Sequence, residues 1–258
     1  MDVSAEPLAE LRRRLAAAGS SAALSRLARE LRADPRRGAR DLAASAARRL
    51  AEQQRLTRLF ARRRRLARGG ARTVAGVDEV GVGPLAGPVV ACAVVLPERV
   101  DLPGLGDSKQ LTRRARERLA ACIREQAVAL CVAEVPASEV DRLNVYRAAL
   151  EAMRRAVTGL GVEPDHVLVD ARTIPGVAAP QTSLVGGDAL DGCIAAASVV
   201  AKVHRDALMA RLAQRHPGYG FERHMGYATR EHLAALHRLG PSPIHRRSFA
   251  PVRQLALW

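Results

Sequence analysis

The pattern of apolar and polar positions changes character near residue 70. Between residues 6 and 67, apolar side chains recur every three or four positions, and Gly19–Ser21 and Asp34–Gly38 interrupt the pattern. This spacing predicts two or three small helices. Gly69 and Gly70 then form a typical linker. We therefore predict a helical, basic N-terminal extension over residues 1–70 and a separate domain over residues 71–258.

Beyond residue 72, short apolar runs rich in β-branched residues alternate with helical patterns. The predicted strands cover residues 73–80, 86–96, 127–135, 166–170 and 181–185. The predicted helices cover residues 111–126, 138–158, 190–215 and 229–238. A Gly/Pro segment separates the first two strands, which indicates an antiparallel hairpin with a wide turn. These elements predict an α/β fold, with a mixed five-stranded sheet flanked by helices and a C-terminal helical part over about residues 216–258.

The composition allows a folded core and excludes a membrane-spanning segment. Hydrophobic residues make up 48% of the 258 positions and aromatic residues only 3%, so the core must be aliphatic. No run of 18 apolar residues occurs and the N-terminus lacks an apolar signal core, so we expect a cytoplasmic protein with no membrane association. Scattered cysteines without a C-x-x-C pair indicate reduced thiols rather than disulfides or a zinc site. They are Cys92, Cys122, Cys131 and Cys193.

Positive charge is concentrated in the N-terminal quarter. The formal net charge is +15, and residues 1–70 carry 18 arginines against 7 acidic residues, a net +11. This charge favours an acidic partner, most often nucleic acid, and a solvated helical face is the alternative. The run Arg62–Arg65 could extend a grip on a duplex or pack against the second domain. Lys109 and Lys202 are the only lysines in the sequence, which suggests a need for a compact charge at these two positions, with chance as the alternative.

Two adjacent carboxylates lie inside an apolar strand pattern. Asp78 and Glu79 interrupt the run over residues 74–96, where unpaired buried charges would be costly. A divalent metal is the simplest compensating cation. Successive strand residues point to opposite faces, so both carboxylates can face one ion only if the strand bends or ends there. The segment Gly81–Pro84 supplies such a break.

Two further aspartates follow predicted strands. Asp170 ends the apolar run VLVD, where a turn or capping role is the alternative to a functional one. Asp188 follows two glycines just before a predicted helix, where an N-cap role is the alternative. With Asp78 and Glu79, they offer four carboxylates from three segments, which suits one or two hard cations such as Mg²⁺ or Mn²⁺. Such ions can activate water and stabilise the leaving oxygen of a phosphodiester.

The predicted helix over residues 190–215 carries a polar stripe of Ser198, Lys202 and Asp206 at four-residue spacing. Lys202 either pairs with Asp206 or faces a phosphate near the metal site. Tyr227 lies in a glycine-rich turn region, where it could stack on a base or sugar or pack as a surface turn. The run His245–Phe249 adds local positive charge, suited to phosphates or to solvent.

Six motifs together resemble bacterial ribonuclease HII, in the family's order and spacing, over about residues 72–252. They are DEVGVGPLAGPVVACAVVLP, GDSKQLT, VLVDA, GGDALDGCIAAASVVAKVHRD, HPGYGFERHMGY and GPSPIHRRSF. The N-terminal DPRRGARDL also resembles the helical extension of some members. The resemblance implies a ribonuclease H-like fold and a metal-dependent endonuclease. It would cut RNA in RNA–DNA hybrids and single ribonucleotides in duplex DNA, leaving 5′-phosphate and 3′-hydroxyl ends, in ribonucleotide removal from DNA.

The resemblance also implies which residues form the site. The family's catalytic, metal-binding carboxylates fall on Asp78, Glu79, Asp170 and Asp188. Its tyrosine at the RNA–DNA junction falls on Tyr227, and the loop whose backbone reads the ribose 2′-hydroxyl falls on residues 81–83. With the loop residues near the substrate backbone and the stripe lysine, the residues predicted to bind substrate are Gly81, Val82, Gly83, Ser108, Lys109, Lys202 and Tyr227.

One position departs from the family pattern. The family usually has arginine between the two glycines, where this sequence has Val82, so we expect weaker substrate affinity with the chemistry retained. Two other functions fit the same residues: a DNA-directed nuclease of the same fold, such as a resolvase, and a non-catalytic nucleic-acid-binding protein with a structural cation. We further expect a monomer, and a clamp-type protein partner is possible.

Overall fold

The computed structural model describes residues 6–255, which divide into two compact units between Leu59 and Phe60. The first unit contains the helices α1 (Leu8–Ala17), α2 (Ser21–Ala33) and α3 (Arg37–Leu59). Its core consists of leucines and alanines at helical spacing, and Leu11, Leu24 and Leu31 are fully buried. The breaks between these helices coincide with the two interruptions in the sequence pattern.

The second unit contains a sheet, the helices that cover it and a helical C-terminal part. Its elements in chain order are α4 (Ala61–Arg68), β1 (Val74–Val80), β2 (Val89–Val95), α5 (Arg113–Gln126), β3 (Ala129–Val135), α6 (Ala137–Leu143), α7 (Val145–Thr158), β4 (His166–Asp170), β5 (Gln181–Leu184), α8 (Gly187–Leu190), α9 (Gly192–Arg215), α10 (Phe221–His224), α11 (Arg230–Leu239) and α12 (Ala250–Leu255).

The sheet confirms the predicted mixed five-stranded architecture. Its strand order is β3-β2-β1-β4-β5. Strand β2 runs antiparallel to β1 and β3, whereas β4 runs parallel to β1 and β5. The predicted antiparallel hairpin is therefore present, and residues 81–88 form its wide connection. Because β1 and β4 are parallel neighbours, their carboxyl ends meet at one edge of the sheet.

Alternation along β1 directs its side chains to two different layers. Ala75 and Val77 enter the apolar cluster formed with α7. Gly76 faces the opposite layer, where a Cβ would come within 2.2 Å of the Cys193 carbonyl carbon on α9. The glycine therefore allows α9 to lie close against the sheet. Asp78 shares the α9 side of the sheet because it lies two positions beyond Gly76.

Two predicted helices differ from the structure. The helix predicted over residues 138–158 is divided at Asn144, whose φ of 66° is incompatible with continuing α6. The Asn144 side chain accepts a hydrogen bond from the Arg147 N–H (3.0 Å) and begins α7. Asparagine adopts a positive φ more often than most residues do and is a good N-cap, so it can divide an otherwise continuous helical pattern. The helix predicted from residue 190 begins at Gly192, and the short α8 precedes it.

The contact division between the units falls after Leu59, whereas the predicted domain boundary lies after residue 70. The helix α4 belongs to the second unit because Arg63 is buried there and donates to the carbonyl oxygens of Leu96 and Glu98. The assignment of residues 1–70 as a functional extension stays a prediction. Within residues 6–255, no helix combines the length and apolarity needed to cross a membrane.

Candidate active site

Asp78 and Asp170 occupy the same edge of the sheet. Parallel pairing aligns Val77 of β1 with Val169 of β4, and each aspartate is the next residue of its strand. Asp170 is also the last residue of β4. The topology therefore brings together two carboxylates that are 92 positions apart in the sequence. This edge is where functional groups collect in open α/β sheets.

Asp78 is buried and points towards α9. It is only 5% exposed, and one of its oxygens accepts a hydrogen bond from the Glu79 backbone N–H (2.8 Å). The Ser198 hydroxyl on α9 favours the ionised form of this carboxylate and so opposes the rise in the pKa of Asp78. The Ser198 hydroxyl in turn lies 2.9 Å from the Ser108 hydroxyl. The polar stripe of α9 thus begins directly against the carboxylate of Asp78.

Glu79 has a different set of neighbours because adjacent strand residues face opposite sides. Its Oε1 lies 3.7 Å from the Arg172 guanidinium, which stacks over the Tyr146 ring at 4.9 Å. The other oxygen, Oε2, is buried without a protein hydrogen-bond partner within the described residues. Arg172 reaches this position because Ala171 adopts a φ of 55° directly after Asp170 and turns the chain.

Asp170 and Asp188 meet where β4 faces the short helix α8. Asp170 Oδ1 accepts a hydrogen bond from the Gly187 N–H (2.6 Å), which anchors the first turn of α8. Asp188 is buried in that turn, and the Lys109 ammonium lies 3.3 Å from its Oδ2. The capping role considered for Asp188 belongs instead to Asp191, which accepts from the Cys193 N–H (2.8 Å) at the start of α9. Asp188 is therefore available for another role.

The neighbouring carboxylates at this edge repel one another, because too few cationic groups lie beside them. Burial, together with the neighbouring Glu79 and Asp170, raises the pKa of Asp78 well above its ordinary value. Burial also raises the pKa of Glu79, and Asp170 adds to this effect while Arg172 opposes it. A cation bound among these groups would relieve both effects.

The side chains do not form a complete metal cage as they stand. Within residues 6–255, no group of three or more Asp, Glu, His or Cys side chains is arranged to hold a metal ion. The physical reason is that Asp78 and Glu79 face opposite sides of β1, while Asp170 and Asp188 are engaged by other groups of the chain. The donors nevertheless fit a hard divalent cation, because all are carboxylate oxygens and Glu79 Oε2 is buried without a partner.

The loop over residues 81–88, which we call the glycine loop, is held by two buried arginines. Arg205 donates to the carbonyl oxygens of Pro88 (3.0 Å) and Ala86 (3.1 Å). Arg246 donates to the carbonyl oxygens of Gly81 (2.5 Å), Val82 (2.9 Å) and Gly87 (3.0 Å). Both arginines are fully buried. Each guanidinium therefore supplies hydrogen bonds to several backbone carbonyl oxygens of the loop.

Position 81 imposes two requirements that only glycine meets. Its φ is +89°, a conformation that side chains strongly disfavour. A Cβ at this position would also come within 2.2 Å of Arg205 Nε and 2.8 Å of the Pro88 oxygen. The tight turn after Val80 and the buried guanidinium therefore depend on the same glycine.

Tyr227 lies beside the glycine loop. The carbonyl oxygen of Gly226 accepts from the Leu85 N–H (2.8 Å), and that of Met225 accepts from Arg205 (3.0 Å). The Tyr227 ring is 44% exposed, and its Cε1 would lie 3.7 Å from a Cβ built on Gly83. Tyr227 and the glycine loop therefore form one surface next to the carboxylate edge.

The remaining predicted substrate residues have identifiable partners. The Lys202 ammonium forms an ion pair with Asp206 (2.8 Å), which was the structural alternative for this stripe. Ser108 is buried on Ser198, whereas the Lys109 side chain is 81% exposed. In the basic run near the C-terminus, Arg246 is buried in the protein, so only its exposed neighbours remain suited to phosphates.

Comparison with known proteins adds an independent result. The family model for ribonuclease HII matches residues 75–252, well over half of the chain. The chain belongs to the ribonuclease HII family. Ribonuclease HII of Myxococcus xanthus is 49% identical over 229 residues, which cover 87% of this chain and 78% of that protein. This protein is therefore a ribonuclease H, a nuclease of a family that depends on divalent metal ions.

Solved ribonuclease HII structures share the fold. The ribonuclease H2 from Pyrococcus horikoshii has a TM-score of 0.61 and 28% identity, and the alignment covers 71% of this chain and 96% of that chain. Ribonuclease HII from Archaeoglobus fulgidus, solved in a complex with PCNA, has a TM-score of 0.59 and 26% identity over 69% and 95% of the two chains. The predicted ribonuclease H-like fold is thereby confirmed.

Sequence reasoning did not single out the arginines that contact the carboxylates and the glycine loop of this candidate site. Arg172, Arg205 and Arg246 sit among 41 basic residues, and residue type alone does not distinguish a buried guanidinium from an exposed one. Two of these arginines could have been identified from the sequence motifs that contain them. Arg205 and Arg246 fall inside the motifs AKVHRD and IHRRSF, which resemble the family. Arg172 follows the VLVDA motif directly.

Proposed function

We propose that this protein cuts RNA in RNA–DNA hybrids and nicks duplex DNA on the 5′ side of an embedded ribonucleotide. The products would be 5′-phosphate and 3′-hydroxyl ends, and the role would be ribonucleotide removal from DNA. The observation that carries the proposal is that Asp78 and Asp170 each follow the last aligned pair of two parallel strands, Val77 and Val169, beside the glycine loop. This places acidic groups suited to metal next to a backbone surface suited to a sugar.

We propose that Mg²⁺ or Mn²⁺ binds at this edge. The residues that would hold it are Asp78, Glu79, Asp170 and Asp188. When bound, the metal supplies an activated water and stabilises the leaving oxygen of the phosphodiester. The chain itself orients the carboxylates: the Glu79 N–H donates to Asp78 and the Gly187 N–H donates to Asp170. Lys109, mostly exposed beside Asp188, is placed to contact the phosphate backbone.

Ribose recognition is assigned to the backbone of the glycine loop. Arg246 binds the carbonyl oxygens of Gly81 and Val82. In a planar trans peptide the N–H points opposite to the carbonyl, so the N–H groups of Val82 and Gly83 point away from the buried guanidinium. These donors can bind a 2′-hydroxyl, the group that distinguishes RNA from DNA. Tyr227, exposed beside Gly83, would stack on the adjoining sugar at the junction.

A duplex containing one ribonucleotide tests the proposed function directly. With Mg²⁺ or Mn²⁺, we expect a single nick on the 5′ side of the ribonucleotide, and chelation of the metal should stop it. The matched all-DNA duplex should stay intact, because it lacks the 2′-hydroxyl. Cutting of all-DNA junctions would indicate a resolvase instead. Binding without any cleavage would indicate a non-catalytic nucleic-acid-binding protein.

Restoring arginine at position 82 should lower the KM for this duplex. Val82 is partly buried against the core and supplies no charge to the substrate. A charge-assisted contact to phosphate is worth about 1.5–3 kcal/mol, so Val82→Arg should lower the KM by about tenfold or more with kcat little changed. Val82→Gln, which is long but uncharged, is the matched control. An unchanged KM in Val82→Arg would show that the valine costs no affinity.

Partners and location complete the proposal. We propose a monomeric, cytoplasmic enzyme whose main partner is nucleic acid. Lys202, beside Asp206 on α9, would contribute to phosphate binding together with its ion pair. A clamp-type protein partner is supported by the Archaeoglobus fulgidus relative, whose structure is a complex with PCNA.

A further inference from the structure

Two buried histidines lie directly beneath Tyr227. His232 on α11 is fully buried, and His245 is 2% exposed. Their Nε2 atoms are 3.1 Å apart. His232 Nδ1 lies 2.8 Å from the Tyr227 carbonyl oxygen, and His245 Nδ1 lies 2.9 Å from the Ser242 backbone nitrogen. We call these two residues the histidine pair.

The partners at each end determine which nitrogens carry protons. A carbonyl oxygen has no hydrogen to give, so His232 Nδ1 must donate to Tyr227. The Ser242 backbone N–H can only donate, so His245 Nδ1 must accept, and the Ser242 hydroxyl, 2.8 Å from the same nitrogen, then donates to it as well. With both rings neutral, His245 Nε2–H then donates to the bare His232 Nε2. All four ring nitrogens are therefore satisfied in one arrangement, which runs from Ser242 to Tyr227.

Aromatic packing fixes the ring planes of the pair. Phe221 meets His232 edge-on, with centroids 5.4 Å apart, and His224 stacks on His232 at 4.4 Å. Tyr219 packs against His245 at 5.1 Å. Burial lowers the pKa of both His232 and His245, which agrees with neutral rings. The rings therefore have little freedom to turn away from their partners.

The backbone before Tyr227 needs such support. Met225 has a φ of 51° and Gly226 a φ of 84°, so two consecutive residues adopt left-handed conformations. Arg205 holds the Met225 carbonyl oxygen, and the Tyr227 carbonyl oxygen accepts from His232 and from the Thr229 N–H (2.8 Å). The Tyr227 ring has few restraints of its own because it is 44% exposed.

We propose that His232 and His245 are positioning residues that hold Tyr227 against the glycine loop, and so set cleavage at the ribonucleotide junction. This inference rests on the proposed function, in which Tyr227 contacts the substrate. The histidine pair touches neither substrate nor metal in this scheme. It acts through one hydrogen bond to the backbone of the residue that does.

Two substitutions of His232 separate the hydrogen bond from packing. Asparagine can place its amide N–H near the position of imidazole Nδ1 and keep the donation to Tyr227, whereas leucine cannot donate. On the one-ribonucleotide duplex, we expect His232→Leu to lower kcat/KM by about tenfold, through KM, and His232→Asn to stay within about threefold. His166→Leu is the control, because it removes another histidine hydrogen bond (His166 to Thr182, 2.8 Å) at the opposite edge of the sheet.

A double-variant comparison tests whether the effect passes through Tyr227. In a Tyr227→Ala background, His232→Leu should lower kcat/KM no further, because the group it positions is gone. An equal tenfold loss with and without Tyr227 would overturn the inference and indicate a general packing role. Wild-type activity in Tyr227→Ala would also overturn it. A wild-type protein that does not nick the duplex would instead contradict the proposed function.

Nitrogen NMR on the unmodified protein covers the case in which His232→Leu does not fold. Long-range ¹⁵N–¹H correlations at neutral pH should show His232 with its proton on Nδ1 and His245 with its proton on Nε2. This distribution is the only one in which the pair can donate to Tyr227 while accepting from Ser242. A His232 ring with its proton on Nε2 would overturn the inference.

Discussion

Asparagine in place of Asp170 should abolish cleavage of the one-ribonucleotide duplex while leaving the fold intact. The variant removes one negative charge from the group that includes Asp78 and Glu79, and a carboxamide is a poor ligand for a hard cation. We expect the single-turnover rate to fall by about three orders of magnitude, comparable to losing a principal electrostatic group in other active sites. Asp78→Asn should have the same effect.

The structure explains why the fold should survive this change. Asp170 Oδ1 accepts from the Gly187 N–H, and the oxygen of an asparagine can accept the same hydrogen bond. Removing the charge also reduces the repulsion that raises the pKa of Asp78. The metal-free variant should therefore melt no lower than the wild type. Loss of activity with an unchanged melting temperature would then point to chemistry rather than unfolding.

A carboxylate at the other end of the same strand provides the control. Asp165 directly precedes β4 and accepts from the backbone N–H groups of Arg72 (2.8 Å) and Thr73 (2.7 Å). Asp165→Asn should keep wild-type cleavage because it lies at the opposite edge of the sheet. Titration with Mn²⁺ gives a second readout, since metal that binds the folded state raises the melting temperature. The rise should shrink in Asp170→Asn but not in Asp165→Asn.

Undiminished cleavage in both Asp78→Asn and Asp170→Asn would contradict the assignment of the site. An unchanged Mn²⁺ response combined with lost cleavage would have a different meaning. It would show that these carboxylates act on the substrate without holding the ion.

Most of the fold could be predicted because it depends on local patterns. The strand over residues 166–170 was predicted at the bounds it has, since an apolar run bounded by polar residues leaves little choice. The division of the helix at Asn144 was missed because one left-handed residue leaves the helical periodicity on both sides unchanged. The periodicity of apolar residues does not reveal a single residue that changes the direction of the backbone.

Asp78 and Glu79 could be proposed from sequence because charge inside an apolar run is unusual, whereas Asp170 and Asp188 joined them through their positions after predicted strands and through the family resemblance. Their partners could not be predicted, since Ser198, Arg172 and the Gly187 N–H reach them only through tertiary packing. The same limit applies to the capping aspartate. Asp188 lies within the short helix α8 and Asp191 directly precedes α9, and only the structure shows that Asp191 caps α9.

The buried arginines lead to the second prediction of large effect. Arg246→Met should lower cleavage of the one-ribonucleotide duplex by about a hundredfold and lower the free energy of unfolding by about 2–4 kcal/mol. The guanidinium binds the carbonyl oxygens of Gly81, Val82 and Gly87, and methionine leaves all three acceptors without this donor. The glycine loop would then lose the geometry through which, we propose, its N–H groups bind the substrate.

Two opposing effects determine the change in stability. Burial, with Arg205 nearby, lowers the pKa of Arg246 to about 9, so the folded protein bears a cost for keeping this charge. Methionine removes that cost, and it also fills the space beside the Phe249 ring, which lies 5.2 Å from the guanidinium carbon. The lost hydrogen bonds should still outweigh this gain, because three acceptors in one loop lose this donor.

The adjacent residue is a matched control for the arginine. Arg247 is exposed, and it binds Asp141 through its backbone N–H (2.9 Å), which any side chain preserves. Arg247→Met should therefore leave stability unchanged and affect KM only modestly. Arg246→Lys should lie between Arg246→Met and the wild type, because an ammonium keeps the charge without the planar fork that spans three carbonyls. Cleavage measured well below the melting temperature separates loss of loop geometry from unfolding, so a wild-type KM in folded Arg246→Met would show that the glycine loop keeps its shape without the guanidinium.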